Sequence, residues 1–249
     1  MPEIAGPSLA RSCVRDIHAV LQAGGRGRRL SPFFAELPKP LVPVAGKPMI
    51  ERLLHQIAGT GVKNVTILTG WKGELVRESV ESLWLPRPDL SLRFIREERP
   101  LGNIGGLAYL SERQSTVLFA FADLVTDIDF VELVGIHQNS AADITLCSHI
   151  EEQQLRLGEL DVEGTSVIAY HEKPVKRFRV CSGIAVLEPE VLGLIAPGLA
   201  MGMVDLINQA ISAGLHVSHW EHGARWFDVN TPEALASAEH EMTNQSPPE

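Results

Sequence analysis

Hydrophobic and polar positions alternate along the chain between two periods. Residues 17–22 form a short apolar run that ends in a glycine-rich stretch, and 65–69 is a second run with the texture of a buried strand. Residues 91–95 and 116–121 read as further strands. Between them lie segments of helical spacing. Pro48 opens one in which Met49, Ile50, Leu53, Leu54 and Ile57 share a face, and Gly59 and Gly61 end it. Residues 74–83, 107–112 and 129–138 supply the other helical stretches. Strands separated by helix-length segments predict βαβ units, hence an α/β fold: a mostly parallel mixed sheet with helices on both faces.

After about residue 140 the texture changes. Strand candidates at 144–149, 158–162, 166–171 and 180–187 follow closely, with Gly164 marking a hairpin-like turn. Helices are expected around 190–195 and 203–213, strands at 216–220 and 226–229, and a last helix from 232 to about 241. No repeat, low-complexity stretch or long linker divides the chain. One domain over 17–241 is expected, flanked by a flexible extension, 1–16, and a flexible tail, 242–249.

The 249 residues, 45% of them hydrophobic, suffice for a sizeable core. Lys+Arg 22 against Asp+Glu 31 gives a net charge of -9, which disfavours a general nucleic-acid binder but leaves room for a locally basic pocket. Cys13, Cys147 and Cys181 are scattered and odd in number, a pattern suited to a reducing, cytoplasmic setting rather than a disulfide framework or thiolate metal site. No stretch approaches the roughly 20 apolar residues of a membrane span, and the opening residues carry no apolar signal core. A homo-oligomer remains compatible with all of this.

Candidate chemistry starts directly after the first strand, with Ala23-Gly24-Gly25-Arg26-Gly27-Arg28-Arg29-Leu30. Open α/β sheets bind ligands at the carboxyl ends of their strands. Glycines let backbone N–H groups approach phosphate oxygens, and arginines add forked, charged donors. The loop matches neither the P-loop pattern nor the dinucleotide fingerprint, and taken alone such a loop is often just a tight turn.

The continuation narrows the choice. Residues 38–50 read Pro-Lys-Pro-Leu-Val-Pro-Val-Ala-Gly-Lys-Pro-Met-Ile. Together with the glycine-rich loop, this resembles the double signature of the nucleoside-diphosphate-sugar pyrophosphorylases, a family that includes mannose-1-phosphate guanylyltransferases and glucose-1-phosphate thymidylyltransferases. Further segments keep the family's order over about residues 17–240: Glu97 to Leu107, Phe119 to Asp123, Glu172-Lys173-Pro174, Ser182-Gly183-Ile184 and Trp226 to Glu233.

The resemblance implies a Rossmann-like fold of the nucleotide-diphospho-sugar transferase type and a Mg²⁺-dependent transfer between a nucleoside triphosphate and a sugar 1-phosphate. It assigns Arg29 and Lys39 to the triphosphate, and Lys173 to the incoming sugar phosphate. Glu172, Gly183 and Gly158 would face the sugar, and Asp123 and Asp228 would hold the metal. Leu21, Gln22, Ala23, Gly24, Gly25, Gly27, Glu98, Pro100 and Gly102 would form the nucleotide side. Within that set Gln22 either reads a base edge or bonds its own loop, and Glu98 is either an acceptor for guanine N–H groups or a solvated carboxylate. Taken singly, each aspartate also reads as a helix cap or turn residue.

Several positions depart from the family pattern: Arg28 for Thr, Phe121-Ala122 for Asn-Gly, Asn103 for Thr and Asn230 for Gly. Ala122 places a methyl where substrate is expected to pass. An unusual sugar, a cyclitol phosphate, a phosphocholine-like phosphate or a phosphonate therefore fits as acceptor as well as a hexose does. A weakly active, nucleotide-sugar-sensing subunit is the alternative outside catalysis. His216, His219 and His222 recur every three residues, but strand alternation turns 219 away from the other two, which argues against a metal site. Trp71, Trp84 and Trp220 read as core or rim packing.

Overall fold

The computed structural model describes residues 17–25, 34, 36–84, 90–111 and 113–244. Strand β1 (Ile17–Ala23) comes first, and a 3-10 turn over Lys39–Leu41 leads to a small hairpin of β2 (Pro43–Val44) and β3 (Lys47–Pro48). Helix α1 (Met49–Gly59), strand β4 (Asn64–Thr69), helix α2 (Gly73–Trp84) and strand β5 (Ser91–Arg96) follow. A 3-10 turn over Gly105–Tyr109 precedes β6 (Thr116–Phe121), β7 (Leu124–Thr126) and α3 (Phe130–Ser140). Four strands then run in succession: β8 (Ile144–Gln154), β9 (Glu159–Glu163), β10 (Ser166–His171) and β11 (Val175–Leu187). Helices α4 (Pro189–Leu192) and α5 (Met203–Ser212), strands β12 (Val217–Glu221) and β13 (Trp226–Asp228) and helix α6 (Pro232–Thr243) come last.

Seven strands form the central sheet in the order β12-β8-β11-β6-β1-β4-β5. Its β5-β4-β1-β6 block is parallel, β11 is antiparallel to both neighbours, and β12 is parallel to β8. Strand alternation divides the apolar residues between two layers. Ala19, Leu21, Leu118 and Ala120 face α1, α2 and α3 through Leu53, Val76 and Leu133. Val20, Phe119, Ala185 and Leu187 face the other side, where Leu107, Val191, Leu192 and Leu206 cover them. The expected α/β architecture, with helices on both faces, is what these residues build.

Helix α1 buries the same five residues that the spacing marks. Helix α3 starts at Asp129, whose carboxylate accepts from the Val131 and Glu132 N–H groups and so satisfies two of the open donors of the first turn.

Four expectations change. The stretch expected to be helical at 107–112 is a 3-10 turn over Gly105–Tyr109, where two successive glycines disfavour a longer helix. Strands β8 and β11 extend to Gln154 and back to Val175, well beyond 144–149 and 180–187. Their outer halves pair with each other as an exposed ladder rich in charged residues, so no apolar run marks them. The helix expected at 190–195 is the single turn α4, capped at Gly193. Residues 242 and 243, expected in the tail, belong to α6. Residues 1–16 lie outside the described residues.

Candidate active site

Loops at the carboxyl ends of the parallel strands enclose an open cavity of about 960 Å³. This is where open α/β sheets bind ligands, and the size suits a nucleotide with a second substrate. The β1, β4 and β5 side contributes Gln22, Gly24, Gly25, Gly70, Trp71 and the stretch from Arg96 to Pro100, continued by Gly102 and Asn103. The β6, β11 and β13 side contributes Phe121, Asp123, Leu124, Cys181, Gly183, Trp226 and Asp228. Leu21 and Ala23 are buried in β1, so only their backbone can meet a ligand. Gly27 and Arg29 lie outside the described residues, as do Arg26 and Arg28.

Asp123 and Asp228 stand 105 positions apart (228 minus 123), and the pairing of two short strands brings them together. Strand β13 runs antiparallel to β7 with Asp228 opposite Leu124, and the Val229 N–H donates to the Asp123 carbonyl at 3.4 Å. An apolar cluster of Val42, Val44, Met49, Val125, Val229 and Ala238 packs the Lys39 turn, β7, β13 and α6 against one another. Lys39 follows Pro38 into its 3-10 turn and has only 5% of its side chain exposed. Its ammonium donates to Asp123 Oδ2 at 2.5 Å and to Asn230 Oδ1, and Asp228 Oδ1 lies 3.6 Å away. Asn230 donates in turn to Asp228 Oδ2. A buried ammonium is costly unless it is paired and hydrogen-bonded, and here three oxygen-bearing side chains pair it.

Asn230 is a site residue that the pattern comparison records only as a departure. Its amide carries both a donor and an acceptor, which lets it bridge a lysine and an aspartate as glycine could not.

The same donor set suits a small hard cation. Mg²⁺ takes oxygen ligands, commonly one or two carboxylates completed by phosphate oxygens and water. Asp123 and Asp228 keep 30% and 39% of their side chains exposed to the cavity, and the Lys39 ammonium already stands beside both as a cation. Among the described residues no group of three or more His, Cys, Asp or Glu side chains forms a metal cage.

On the opposite wall two successive acidic residues, Glu97 and Glu98, line the cavity. Glu98 is exposed at the cavity edge, whereas the preceding Glu97 is half-buried within the wall. Gln22 Nε2 points at Glu97 Oε1 across 3.5 Å. Burial pushes the Glu97 carboxyl above its usual range, while the Leu101 N–H and Gln22 oppose the shift. Gln22 Oε1 is buried with no partner among the described residues.

Gly102, with φ +78, bridges Met201, whose carbonyl oxygen would lie 2.2 Å from any added Cβ. Asn103 fixes the same loop by accepting the Met203 N–H at 2.8 Å, at the start of α5. Trp71 sits at the cavity rim with the Lys72 ammonium 4.9 Å from its ring centroid, and Trp220 packs against the core; the Trp84 side chain lies outside what is described.

The acceptor side holds one correction. Ala122 is fully buried and belongs to the core, so its methyl does not obstruct the cavity. Phe121 fills that role instead: it meets Phe119 edge-on, with centroids 5.1 Å apart, and lies where a Cβ on Gly183 would come within 2.7 Å of its ring. Gly158, expected near the sugar, lies under Tyr170, whose hydroxyl would be 2.2 Å from an added Cβ; it is outside the cavity lining and makes room for that ring. Glu172 and Lys173 are also outside the lining, on the turn between β10 and β11, with 62% and 58% of their side chains exposed. Tyr170 donates to Glu172 Oε2 at 2.8 Å, and the Lys173 carbonyl accepts from Gln154.

Behind Trp226 lies a network that the pattern does not announce. Ser182 Oγ joins His149 Nδ1 at 2.9 Å and His222 Nε2 at 2.7 Å, and Trp226 Nε1 donates to the Ser182 carbonyl. Burial, and next the neighbouring His149, lower the His222 pKa. His219 turns to Ser148 and His216 is exposed beyond the strand, so the three spaced histidines do not converge. Burial raises the Cys147 thiol, with Cys181 adding to the effect; Cys13 lies outside the described residues. No helix among the described residues is long and apolar enough to cross a membrane.

Comparison with known proteins meets this geometry. A mannose-1-phosphate guanylyltransferase of Mycobacterium tuberculosis is 28% identical over 231 residues, covering 87% of this chain and 62% of its own length. A mannose-1-phosphate guanyltransferase of Yarrowia lipolytica is 32% identical over 184 residues, covering 71% of this chain and 50% of its own. The chain thus spans about half to three fifths of the length of these curated relatives. Among solved structures, a Bacillus anthracis protein provisionally assigned as a glucose-1-phosphate thymidylyltransferase, in complex with sucrose, superposes with a TM-score of 0.72. That match has 19% identity, covers 94% of this chain and 98% of the other, and shows a shared fold. The family model described as "Nucleotidyl transferase" matches residues 18–245, and the chain belongs to that family.

Proposed function

We propose that this chain transfers a nucleotidyl group from a nucleoside triphosphate to a sugar 1-phosphate, giving an NDP-sugar and pyrophosphate. The observation that carries the reading is the Asp123–Asp228 pair, held from behind by Lys39 and Asn230, on a nucleotide-sized cavity at the carboxyl ends of parallel strands. Relatives named as sugar-1-phosphate guanylyl- and cytidylyltransferases support it.

In this reaction an oxygen of the acceptor's phosphate attacks the α-phosphorus, the bond from that phosphorus to the bridging oxygen breaks, and pyrophosphate leaves opposite. Two polyanions must meet, so the protein's work is alignment and charge neutralisation, and no covalent nucleophile is needed. Lys39, which the family resemblance assigns to the triphosphate, lies behind the cavity lining and holds Asp123 and Asp228 in place from there. Arg29, on the glycine-rich loop, is assigned to the charge that builds on the α-phosphate and leaving oxygens. Asp123 and Asp228 would hold Mg²⁺, which when bound neutralises phosphate charge and aligns the leaving group. Lys173, exposed on its strand turn, offers the entering acceptor phosphate a first cationic contact.

The aromatic acceptor side, with Phe121 and Trp226 on the lining, favours one variation on this reading: an acceptor with an apolar ring face, a cyclitol phosphate among them. The test is a matrix of nucleoside triphosphates against sugar and cyclitol phosphates, scored for pyrophosphate and for the coupled product, with and without a chelator. Pyrophosphate that depends on both substrates and on divalent metal is expected. Its absence from every pair would leave the sensing role instead.

A further inference from the structure

Resting on the nucleotidyl-transfer reading, we infer that Ser182, His149 and His222 are positioning residues of the acceptor wall, a buried hydrogen-bonded chain that holds Trp226 and the turn at Gly183 in place before any acceptor arrives. The need for such a chain starts in the strand register. Cys181 of β11 opposes Ser148 of β8, and the pairing resumes at Ala185 with Leu146. Four steps along β11 (185 minus 181) therefore meet two along β8 (148 minus 146). The extra residues make a bulge, a common way for a strand to re-aim side chains beside a site. Cys181 and Gly183 line the cavity, Gly183 with φ +72, and Ser182 between them is fully buried. Where the ladder to β8 is interrupted, buried polar groups need other partners. The Ser182 carbonyl takes the Trp226 Nε1–H at 2.7 Å, and the Ser182 hydroxyl joins His149 at 2.9 Å and His222 at 2.7 Å.

The direction of the chain follows from its far end. His149 Nε2 stands 3.0 Å from Glu151 Oε1, and a carboxylate only accepts, so Nε2 carries a proton. As a neutral imidazole, His149 then accepts at Nδ1 from the Ser182 hydroxyl. That hydroxyl has one proton to give, so it receives the His222 Nε2–H. Burial and His149 favour the neutral form of His222, against the Ala224 carbonyl and Asp127. Each link fixes the next, and removing the hydroxyl orphans two imidazole nitrogens at once. The His149 ring in turn packs on Trp226, with centroids 4.5 Å apart and planes tilted by 42°. The indole is thus held at its N–H by the bulge and on its face by a ring whose own angle is set from both sides. The same bulge brings Gly183 against the Phe121 ring, so both aromatic rings of the acceptor side take their places from it. A wall fixed in advance spares the acceptor the cost of ordering these side chains.

The experiment compares the full chain with Ser182→Ala, His222→Leu, His222→Gln and Ser148→Ala. The last removes a serine–histidine bond of similar length, Ser148 Oγ to His219 Nδ1 at 2.9 Å, that is no part of the chain to Trp226. Acrylamide quenching of indole emission, with Trp226→Phe as the reference that isolates Trp226, reads the wall without any substrate. Steady-state kinetics at saturating nucleoside triphosphate, with mannose 1-phosphate, glucose 1-phosphate and a cyclitol phosphate varied in turn, read its use. Ser182→Ala and His222→Leu should open Trp226 to the quencher and raise the acceptor KM about 10-fold, the scale of one lost buried hydrogen bond, with kcat changing by less than about 3-fold. His222→Gln, whose amide still presents a donor toward Ser182, should recover most of both, and Ser148→Ala should show neither. Should Ser182→Ala fail to fold, His222→Leu against His222→Gln carries the same decision. Trp226 quenching that is unchanged in the folded variants would overturn the inference. So would an acceptor KM that stays put while quenching rises, a kcat loss as large as the KM change, or an equal effect in Ser148→Ala. Absence of turnover with every acceptor in the wild type would sink the transfer reading, and the quenching comparison would still decide whether the chain holds the wall.

Discussion

The two halves of the central sheet support the cavity in different ways. In the β5-β4-β1-β6 block, β1 lies between two parallel partners and is buried at every position except Gln22. The strand ends and loops leaving this block rest on a rigid base, and they carry Gln22, Glu97 and Gly102. The β8–β11 ladder instead runs out past the sheet, from the Cys181 and Ser148 pair to the Val175 and Gln154 pair, and its outer residues are exposed. Glu172 and Lys173 ride beside that arm. The contrast teaches that burial concentrates chemistry: a charge in the block needs built-in partners, whereas a charge on the arm relies on water.

The largest effect should come from breaking the buried charge centre. Lys39→Met should lower turnover by about 10²–10³, the usual cost of losing one preorganised charged donor. Lys173→Met should act chiefly on the KM for the acceptor, with a smaller change in kcat. Steady-state kinetics with each substrate varied in turn separates the two, and equal damage to both parameters in both variants would erase the distinction drawn here.

A stability comparison comes next. Gly102→Ala forces a Cβ onto the Met201 carbonyl in a left-handed conformation and should cost at least ~2 kcal/mol. Gly164→Ala, in the β9–β10 hairpin with φ +58 and open space around it, should cost about 1 kcal/mol. Denaturant melts of both variants check the ranking, and a reversal would mean that the hairpin is the more constrained turn.

Smaller is the pH response of Glu97. Its folded-state pKa is raised by burial above the ordinary value of 4.5, so the folded state holds the proton more tightly than the unfolded chain does. Its contribution to stability is therefore most favourable below pH 4.5 and declines as pH rises through the raised folded value. Glu97→Gln removes that slope, so the variant should gain on the wild type between mildly acid and neutral pH. Parallel melts over that range, without nucleotide, would show a constant difference if the carboxyl were solvated.

The smallest effect belongs to the arm. Arg179 bonds Glu221 at 2.8 Å, but both side chains are about half exposed, so Arg179→Ala should change stability by under ~1 kcal/mol. A larger loss would assign the ladder a structural burden that its exposure does not suggest.

Much of this arrangement could be read along the chain. The apolar runs of β1, β4 and β6 and the five-residue face of α1 follow from periodicity, because buried elements repeat what they bury. Lys39, Asp123 and Asp228 came from ordered segments whose residue types suit phosphate and metal. The outer halves of β8 and β11 stayed hidden because an exposed ladder needs no hydrophobic pattern. The short β7 and β13 stayed hidden because three residues carry no period.

By itself, then, the sequence determined the layered α/β order, the glycine-rich loop at a strand's end and the identities of the charged residues, all of them properties of local spacing. Only the tertiary structure decided that Asp228 would meet Asp123 through the β7–β13 pairing and that Asn230 would bridge lysine to aspartate. It also decided that Glu97 rather than Glu98 would face Gln22 from within the wall. These facts depend on burial and on contacts between residues as much as 191 positions apart, and neither is written in the spacing of neighbours along the chain.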